Sequence, residues 1–293
     1  MTAGRSATLA FSTLACPEWD AETVIRRASE FGFDAVEWRG GPDGTVRTAW
    51  SAERRAGVRV ALAQAGIASL AVTAYSELIS HDAAVRARSV DDLVRHAELA
   101  TDLGAPAVRV FLGVADDDAP PDTLIRRAID GLAETLERTD ERVILAIEPH
   151  DDHVRSEAVT PILTALPDPR LGVVWDIANA WAAGEPPETG LAAYAGRITY
   201  VQVKDGTGTG PSWRLTNLGA GEVPLARALA RLGAIERDAG RPLPPISLEW
   251  ERAWHPELAP ADEALPAARR WLSDVLVETA EPGGVVARWG DTS

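Results

Sequence analysis

Residues 171–205 read LGVVWDIANAWAAGEPPETGLAAYAGRITYVQVKD, in which two apolar runs flank a segment that glycine and proline interrupt. The runs LGVVWD (171–176) and ITYVQVKD (198–205) are rich in β-branched residues, which is typical of parallel strands buried on both faces. The segment between them carries two prolines and two glycines within residues 184–190, so it can hold only a short helix. The stretch therefore predicts two parallel strands joined by a helical crossover.

The same alternation of short apolar runs and longer amphipathic segments extends over nearly the whole chain. Asp20 and Gly32 are typical of the start and the end of one such helix. Eight strand–helix units in 293 residues predict a single (β/α)₈ TIM barrel over residues 1–280, with residues 281–293 as a loosely held tail. The other six apolar runs are ATLAFST (7–13), FDAVEW (33–38), IASLAVT (67–73), AVRVFLG (107–113), VILAIE (143–148) and ISLEWE (246–251).

A doubly wound open sheet is the alternative architecture for such a pattern. It would require a glycine-rich phosphate loop after an early strand, and GFDAVEWRGGPDG (32–44) lacks that spacing. The glycine-rich segment GTGTGPSW (206–213) is not promptly followed by a helix, so we predict a flexible loop there. The barrel is the better interpretation.

The composition and net charge of the chain limit the classes of binding partner. The chain is 46% hydrophobic and 25% charged, as in an ordinary globular protein. Its net charge of −15 repels phosphate backbones and anionic lipid, which disfavours nucleic acid and membrane surfaces as partners. The single cysteine, Cys16, cannot form an internal disulfide, and we find neither a secretory signal nor a membrane-length apolar run. We therefore expect a cytoplasmic location.

Polar residues end four of the predicted strands, where barrel enzymes build their active sites. Glu148, Asp176 and Glu249 end the fifth, sixth and eighth strands, and Gln202 lies in the seventh. Three converging carboxylates repel one another unless a cation lies among them. Three carboxylates and an amide oxygen suit Mg²⁺ or Mn²⁺, with Co²⁺ as a further candidate. The structural alternative is that each carboxylate pairs with an arginine of a neighbouring strand.

These residues resemble those of a known family. The chain is similar to the xylose isomerase-like barrels, a superfamily of sugar isomerases, ketose epimerases and related lyases. The matching segments follow one another from residue 11 to residue 251, so the resemblance covers nearly the whole barrel. They are FSTLACPEWDAETVIRRASEFGFDAVEWR, LATDLGAPAVRVFLG, ILAIEPH, VVWDIANAW, YVQVKD, NLGAGEVPL and ISLEWE.

The resemblance implies a metal site and a reaction. The superfamily binds its metal through Glu, Asp, His and Glu, and the matching residues here are Glu148, Asp176, Gln202 and Glu249. Glutamine in place of histidine is similar to the hydroxypyruvate isomerase branch and argues against Zn²⁺. The implied activity is a metal-dependent isomerase or epimerase of carbohydrate metabolism, acting on a small sugar or hydroxy-carbonyl compound. Glu148 and Glu249 would be its acid and base, and the reaction would pass through an enediolate.

Three residues near the implied ligands are substrate-binding candidates with open alternatives. The Asp-x-x-His of many ketose epimerases ends here in Asn179, which either binds a substrate hydroxyl or caps the next helix. His150 either orients Glu148 or contacts the substrate. Lys204, the sole lysine, either binds substrate or forms an ion pair with Asp205.

Arginine and tryptophan supply further candidates. Arg214 and Arg109 could each bind a carboxylate or phosphate of the substrate. A salt bridge with Glu37 is the alternative for Arg109. Trp19 could pack against a sugar ring or belong to the core. Glu251 shares the strand face of the eighth-strand ligand, so it is an alternative ligand there.

Other activities compete with the isomerase. A dehydratase or lyase of the same barrel family shares the enolate step and expels a β-hydroxyl group. A nuclease resembling endonuclease IV would need a histidine cluster and a basic groove, and five histidines in an acidic chain argue against it. A catalytically decayed barrel with a binding role is the non-enzymatic alternative. Because oligomers are common in the family, the resemblance also implies a homo-oligomer.

Overall fold

In a computed structural model of the chain, eight parallel strands close into a barrel with helices around it. The structure describes residues 7–280, with the side chains of residues 7–277, so the expected tail lies outside the described residues. The barrel strands are β1 (Leu9–Ser12), β2 (Ala35–Arg39), β3 (Ala68–Thr73), β4 (Ala107–Val110), β5 (Ile144–Ile147), β6 (Leu171–Asp176), β7 (Ile198–Val203) and β10 (Ile246–Leu248). Around the barrel they follow the order β1-β10-β7-β6-β5-β4-β3-β2. The predicted single TIM barrel is confirmed.

Nine α-helices lie within the described residues. Where a helix joins two strands, it forms the crossover that a parallel pair needs. None of those in residues 7–280 is long and apolar enough to cross a membrane. They are α1 (Ala21–Phe31), α2 (Ala52–Ala65), α3 (Ala83–Leu103), α4 (Pro121–Arg138), α5 (Ser156–Ala165), α6 (Ile177–Ala182), α7 (Pro187–Ala193), α8 (Leu225–Asp238) and α9 (Ala261–Ala280).

Capping residues mark the ends of several helices. The Asp20 carboxylate accepts a hydrogen bond from the Thr23 amide at the start of α1, and Gly32 ends that helix at φ 75°. At the start of α3 the Asp82 carboxylate likewise accepts a hydrogen bond from the Ala84 amide, at 2.7 Å. The interrupted segment after β6 holds two short helices, α6 and α7, instead of one.

The inside of the barrel combines small apolar side chains with a buried polar group. Residues facing inward alternate with residues that pack against the helices. Small inward side chains leave space for the phenol of Tyr200 and the carboxylate of Glu37, both fully buried. The small residues of this inner cluster are Ala10, Ala35, Ala71, Ala107 and Ala146.

The segment after β7 is more ordered than the sequence predicted. Residues 206–213 were expected to form a flexible loop, but a two-stranded antiparallel ribbon forms there from β8 (Asp205–Thr207) and β9 (Arg214–Thr216). The buried Asp205 carboxylate holds the ribbon and the following turn. It accepts hydrogen bonds from the amides of Gly206, Gly219, Gly221 and Val223, at 2.8–3.2 Å.

We expect Asp205→Asn to lower the free energy of unfolding by about 3 kcal/mol, because an amide nitrogen cannot accept these bonds and buried N–H groups lose their partners. Urea denaturation measures the change. Asp118→Asn, at an exposed carboxylate, is the matched control. Equal stability of the two variants would contradict this role for Asp205.

Candidate active site

Four polar side chains meet at the mouth of the barrel, where the strands present their carboxyl ends. Glu148 follows β5 directly, and Asp176 is the last residue of β6. Gln202 lies near the end of β7, and Glu249 follows β10 directly. All four residues are exposed by 3% or less. Glu148, Asp176 and Glu249 each place a carboxylate oxygen within 4.8 Å of the other two, and we call these three residues the acidic triad.

A lysine ammonium lies beside the acidic triad. Lys204 donates hydrogen bonds to Glu249 Oε2 at 2.6 Å and to Glu251 Oε1 at 2.5 Å. Its Nζ also lies 2.9 Å from Asp176 Oδ2, an ion pair without hydrogen-bond geometry. The alternative pairing of Lys204 with Asp205 is wrong, because the Asp205 carboxylate is engaged with backbone amides instead.

An arginine neutralises the remaining member of the acidic triad. Arg109 on β4 donates a hydrogen bond to Glu148 Oε2 at 2.7 Å, and both side chains are buried. This corrects the sequence-based alternative, which paired Arg109 with Glu37. The guanidinium carbon lies 3.9 Å from the ring centroid of Phe111 and 5.0 Å from that of Tyr75. Nε and Nη2 of Arg109 are buried without a hydrogen-bond partner.

A buried glutamate below the acidic triad orients Gln202. Glu37 accepts hydrogen bonds from Tyr200 at 2.7 Å and Ser247 at 2.6 Å. It also accepts one from Gln202 Nε2 at 2.9 Å, and the same nitrogen lies 3.2 Å from Glu249 Oε1. Gln202 therefore turns its amide nitrogen toward two carboxylates and keeps Oε1 free of any hydrogen bond. A glutamate inside an otherwise apolar strand was the sequence signal for this role, which the sequence analysis missed.

The pKa values of the two glutamates of the acidic triad are shifted in opposite directions. Burial raises the pKa of Glu148 to about 8, although the charge of Arg109 opposes the rise. Burial would also raise the pKa of Glu249, but the Lys204 ammonium outweighs it and holds that pKa below its ordinary value. Burial raises the pKa of Asp176 to about 6, again against Lys204. In the metal-free site the surroundings of the two glutamates therefore shift their pKa values in opposite directions.

A cavity of about 290 Å³ opens above these groups. Its lining includes Glu148, Glu249 and Arg109 together with the rings of Tyr75 and His150. This combination of aromatic walls and a few convergent polar groups is typical of a small-molecule site. A crevice of about 310 Å³ among the outer helices α2, α3 and α4 lacks such convergence of buried charges.

Two of the substrate-binding candidates lie at this mouth. The His150 ring packs at 4.6 Å from the Phe111 ring, and its Nδ1 lies 3.0 Å from Asp151 Oδ2. The Asn179 side-chain nitrogen lies 3.4 Å from Glu148 Oε1. The cap of α6 is Asp176, whose Oδ1 accepts the backbone amide of Asn179 at 2.9 Å. The Asn179 side chain therefore faces the acidic triad instead of capping the helix.

Two further substrate-binding candidates, Arg214 and Trp19, lie away from this cavity. Arg214 is exposed on the ribbon and donates to the backbone carbonyls of Pro211 and Trp213. Trp19 packs against the main core, with the Arg27 guanidinium 5.8 Å from its ring centroid. Among the described residues, neither side chain lines the cavity above the acidic triad.

Comparison with known proteins identifies the family. A family model described as a xylose isomerase-like TIM barrel matches residues 25–275, which is most of the chain. The chain belongs to the xylose isomerase-like TIM barrel family. The resemblance found in the motifs is thereby confirmed. No curated protein matches the chain by sequence.

Solved structures share the barrel at low sequence identity. The chain is similar to the IOLI protein with a bound zinc atom, at 18% identity and a TM-score of 0.75, over 94% of this chain and 100% of that chain. It is similar to L-ribulose 3-epimerase, at 19% identity and a TM-score of 0.74, over 93% and 95%. It is also similar to the probable 3-DHS dehydratase AsbF from Bacillus anthracis, at 15% identity and a TM-score of 0.69, over 91% and 98%. At such low identities the structural likeness shows a shared fold alone, and the named activities are those of the other proteins.

The mouth of this family member can hold a divalent cation. Gln202 Oε1 is buried without a hydrogen-bond partner, and Asp176 Oδ2 receives no hydrogen bond. The acidic triad supplies further oxygens at short separation. Oxygen donors of this kind suit Mg²⁺ and Mn²⁺. The donor set therefore fits the metal that the sequence analysis expected.

Proposed function

We propose that this chain is a divalent-metal-dependent isomerase or epimerase of a small sugar or hydroxy-carbonyl compound, with Glu148 and Glu249 as its acid and base. The observation that carries the proposal is geometric: three buried carboxylates lie within 4.8 Å of one another, and two of them, Glu148 and Glu249, line one cavity. Paired carboxyl groups that face one substrate cavity are the arrangement that acid–base proton transfer needs. A cavity of about 290 Å³ suits a small substrate.

The four ligands would be Glu148, Asp176, Gln202 and Glu249, and the ion would be Mn²⁺ or Mg²⁺, with Co²⁺ as a further candidate. When bound, such an ion polarises a carbonyl group and stabilises negative charge that develops on its oxygen. Glu37 contributes by fixing the amide of Gln202, which leaves Oε1 as the available donor.

The acid–base chemistry belongs to the two glutamates. Glu249 removes the proton from the carbon next to the substrate carbonyl, and the positive charge of a bound ion would favour the ionised form that this step needs. Glu148, as the acid of the pair, delivers a proton to the neighbouring or opposite position. Arg109, His150 and Asn179 would donate hydrogen bonds to substrate oxygens. Support comes from the unpartnered N–H groups of Arg109, from His150 in the cavity lining and from the contact of Asn179 with Glu148. Burial of the acidic triad limits proton loss to water.

Solvent-deuterium incorporation tests this function. Wild-type protein with Mn²⁺ is incubated in D₂O with a panel of ketoses and small hydroxy-carbonyl compounds, and exchange at carbon is followed by NMR. We expect a substrate to gain deuterium next to its carbonyl group. Loss of water from a substrate would instead identify a dehydratase. Absence of exchange across the panel, together with absence of metal binding, would favour a decayed barrel.

The raised pKa values predict how metal-free stability depends on pH. Burial raises the pKa of Glu37 to about 7, of Asp176 to about 6 and of Glu148 to about 8, against about 4 in an unfolded chain. Between these values the folded state binds more protons than the unfolded state, so stability falls as pH rises. We expect the free energy of unfolding without metal to drop by about 2 kcal/mol or more from pH ~5 to pH ~9.

Urea denaturation in EDTA across this pH range measures the drop. Glu37→Gln should reduce the slope around pH 7, because it removes one of the buried carboxyl groups. Saturating Mn²⁺ should flatten the profile further. A stability that stays constant or rises toward pH ~9 in EDTA would contradict the raised pKa values.

A further inference from the structure

The sole lysine of the chain contacts the carboxylate oxygens that would bind a divalent ion. Lys204 is 3% exposed, and its Nζ lies 2.9 Å from Asp176 Oδ2 and 2.6 Å from Glu249 Oε2. Every other basic residue among the 29 is an arginine, so a compact ammonium stands at this position alone. Unlike a planar guanidinium, a compact ammonium resembles a metal ion in presenting its charge as a point.

The third partner of Lys204 differs from the other two. Glu251 Oε1 lies 2.5 Å from Nζ, but Glu251 does not belong to the acidic triad. Its side chain is also more exposed, at 20% against 4% for Glu249. Glu251 therefore offers the ammonium a partner outside the cluster of metal-ligand candidates.

A divalent ion and the ammonium cannot both use the same oxygens of Asp176 and Glu249. Two cations at that separation would repel each other strongly in a buried site. Binding an ion must therefore break the contacts of Lys204 with the acidic triad, while its pair with Glu251 can remain.

We propose that Lys204 is a built-in counter-ion of the metal-free site that competes with the divalent ion, and that Glu251 holds the displaced ammonium. The inference rests on the proposed metal site. It adds that Lys204 lowers the affinity of this site for the divalent ion. Without metal, Lys204 relieves the repulsion within the acidic triad. With metal, the cost of displacing Lys204 weakens binding.

Titration of Mn²⁺ into EDTA-treated, desalted protein by isothermal calorimetry tests the inference. Removing a charge-assisted contact changes such an equilibrium by about tenfold or more, so Lys204→Met should bind Mn²⁺ about tenfold or more tightly than the wild type. Glu251→Gln should bind more weakly, because the ammonium keeps Asp176 and Glu249 as partners without metal but depends on Glu251 once metal has displaced it. In the double variant the Glu251→Gln change should have no further effect, since no ammonium remains to be held.

Three other outcomes of the titrations would overturn the inference or the metal dependence on which it rests. If Lys204→Met binds Mn²⁺ as the wild type does or more weakly, the inference is overturned while the metal site stands. If Glu251→Gln weakens binding equally in the Lys204→Met background, Glu251 is itself a ligand and its role as anchor is overturned. If none of the proteins binds Mn²⁺, the metal dependence of the proposed function fails, and the competition fails with it.

Further variants control for effects of the substitutions on folding. Lys204→Gln provides a second, polar replacement, and Arg231→Met on the exposed surface of α8 provides a matched loss of a cation. Circular dichroism establishes that each variant is folded before titration. We further expect Lys204→Met to melt below the wild type in EDTA and to regain more melting temperature than the wild type when Mn²⁺ is added. Equal melting of the two proteins in EDTA would overturn the counter-ion role.

Discussion

Glu249→Gln is expected to slow the proposed proton transfer by about 10²–10⁴-fold, because an amide cannot take a proton from carbon. The substitution preserves the shape of a side chain that is buried at the barrel mouth. Deuterium exchange at saturating Mn²⁺, with a substrate found in the panel, measures the loss. Glu257→Gln, at an exposed glutamate on the same loop, should exchange at the wild-type rate.

Residual exchange distinguishes a base from a ligand. If Glu249→Gln retains bound Mn²⁺ and still exchanges at more than about a tenth of the wild-type rate, another group is the base. Glu148→Gln should then be examined for the larger loss. If both variants exchange like the wild type, the acid–base pair is assigned wrongly.

Arg109→Met is expected to lower the free energy of unfolding by about 3–5 kcal/mol at pH ~9, above the pKa of Glu148, because it leaves a buried carboxylate without its cation. The lost partner is Glu148, which Arg109 contacts at 2.7 Å with both side chains almost fully buried. Urea denaturation in EDTA measures the loss. Part of the cost is relieved by protonation of Glu148, so the loss should be smaller at pH ~5 than at pH ~8.

The double variant Arg109→Met, Glu148→Gln completes the test. With the carboxylate neutralised, the cost of losing the guanidinium should shrink by about 2 kcal/mol or more relative to the single variant. Arg54→Met, which breaks the exposed pair with Glu22, is the surface control and should cost about 1 kcal/mol or less. Additive effects of the two buried substitutions would show that the pair does not couple.

The sequence predicted the barrel because the strand–helix alternation is regular and the helix caps are chemically distinct. It also indicated Glu148, Asp176 and Glu249, since carboxylates at the ends of buried strands are costly without a cation. These inferences depend on local pattern and on the rule that parallel strands end together at one mouth. The structure bears out the barrel and brings the three carboxylates within 4.8 Å.

The partners of the cations depend on strand register, which the sequence does not show. Arg109 pairs in register with Ala146 of the adjacent β5, so Glu148 two residues later shares its face. Glu37 lies on β2, separated from β4 by β3. Its carboxylate instead receives hydrogen bonds across the barrel interior, from Tyr200 and Ser247.

The alternation of side chains along a strand explains the correction at Lys204. Neighbouring residues in an extended segment point to opposite faces, so Lys204 and Asp205 are poorly placed to pair. Lys204 instead shares the inward face of Gln202, where the acidic triad lies. The ribbon after β7 was not predicted because its order depends on contacts between residues distant in the sequence. The Asp205 carboxylate accepts hydrogen bonds from backbone amides 14 to 18 residues away.

The metal content of the wild type and of Asp176→Asn tests the central claim most directly. Asp176→Asn keeps an oxygen to cap α6 and removes only the charge. After equilibration with saturating Mn²⁺ and rapid desalting, elemental analysis should give about one Mn²⁺ per wild-type chain and much less in the variant. A wild type that retains no Mn²⁺, or a variant that retains as much as the wild type, would contradict a metal site at the mouth of this barrel.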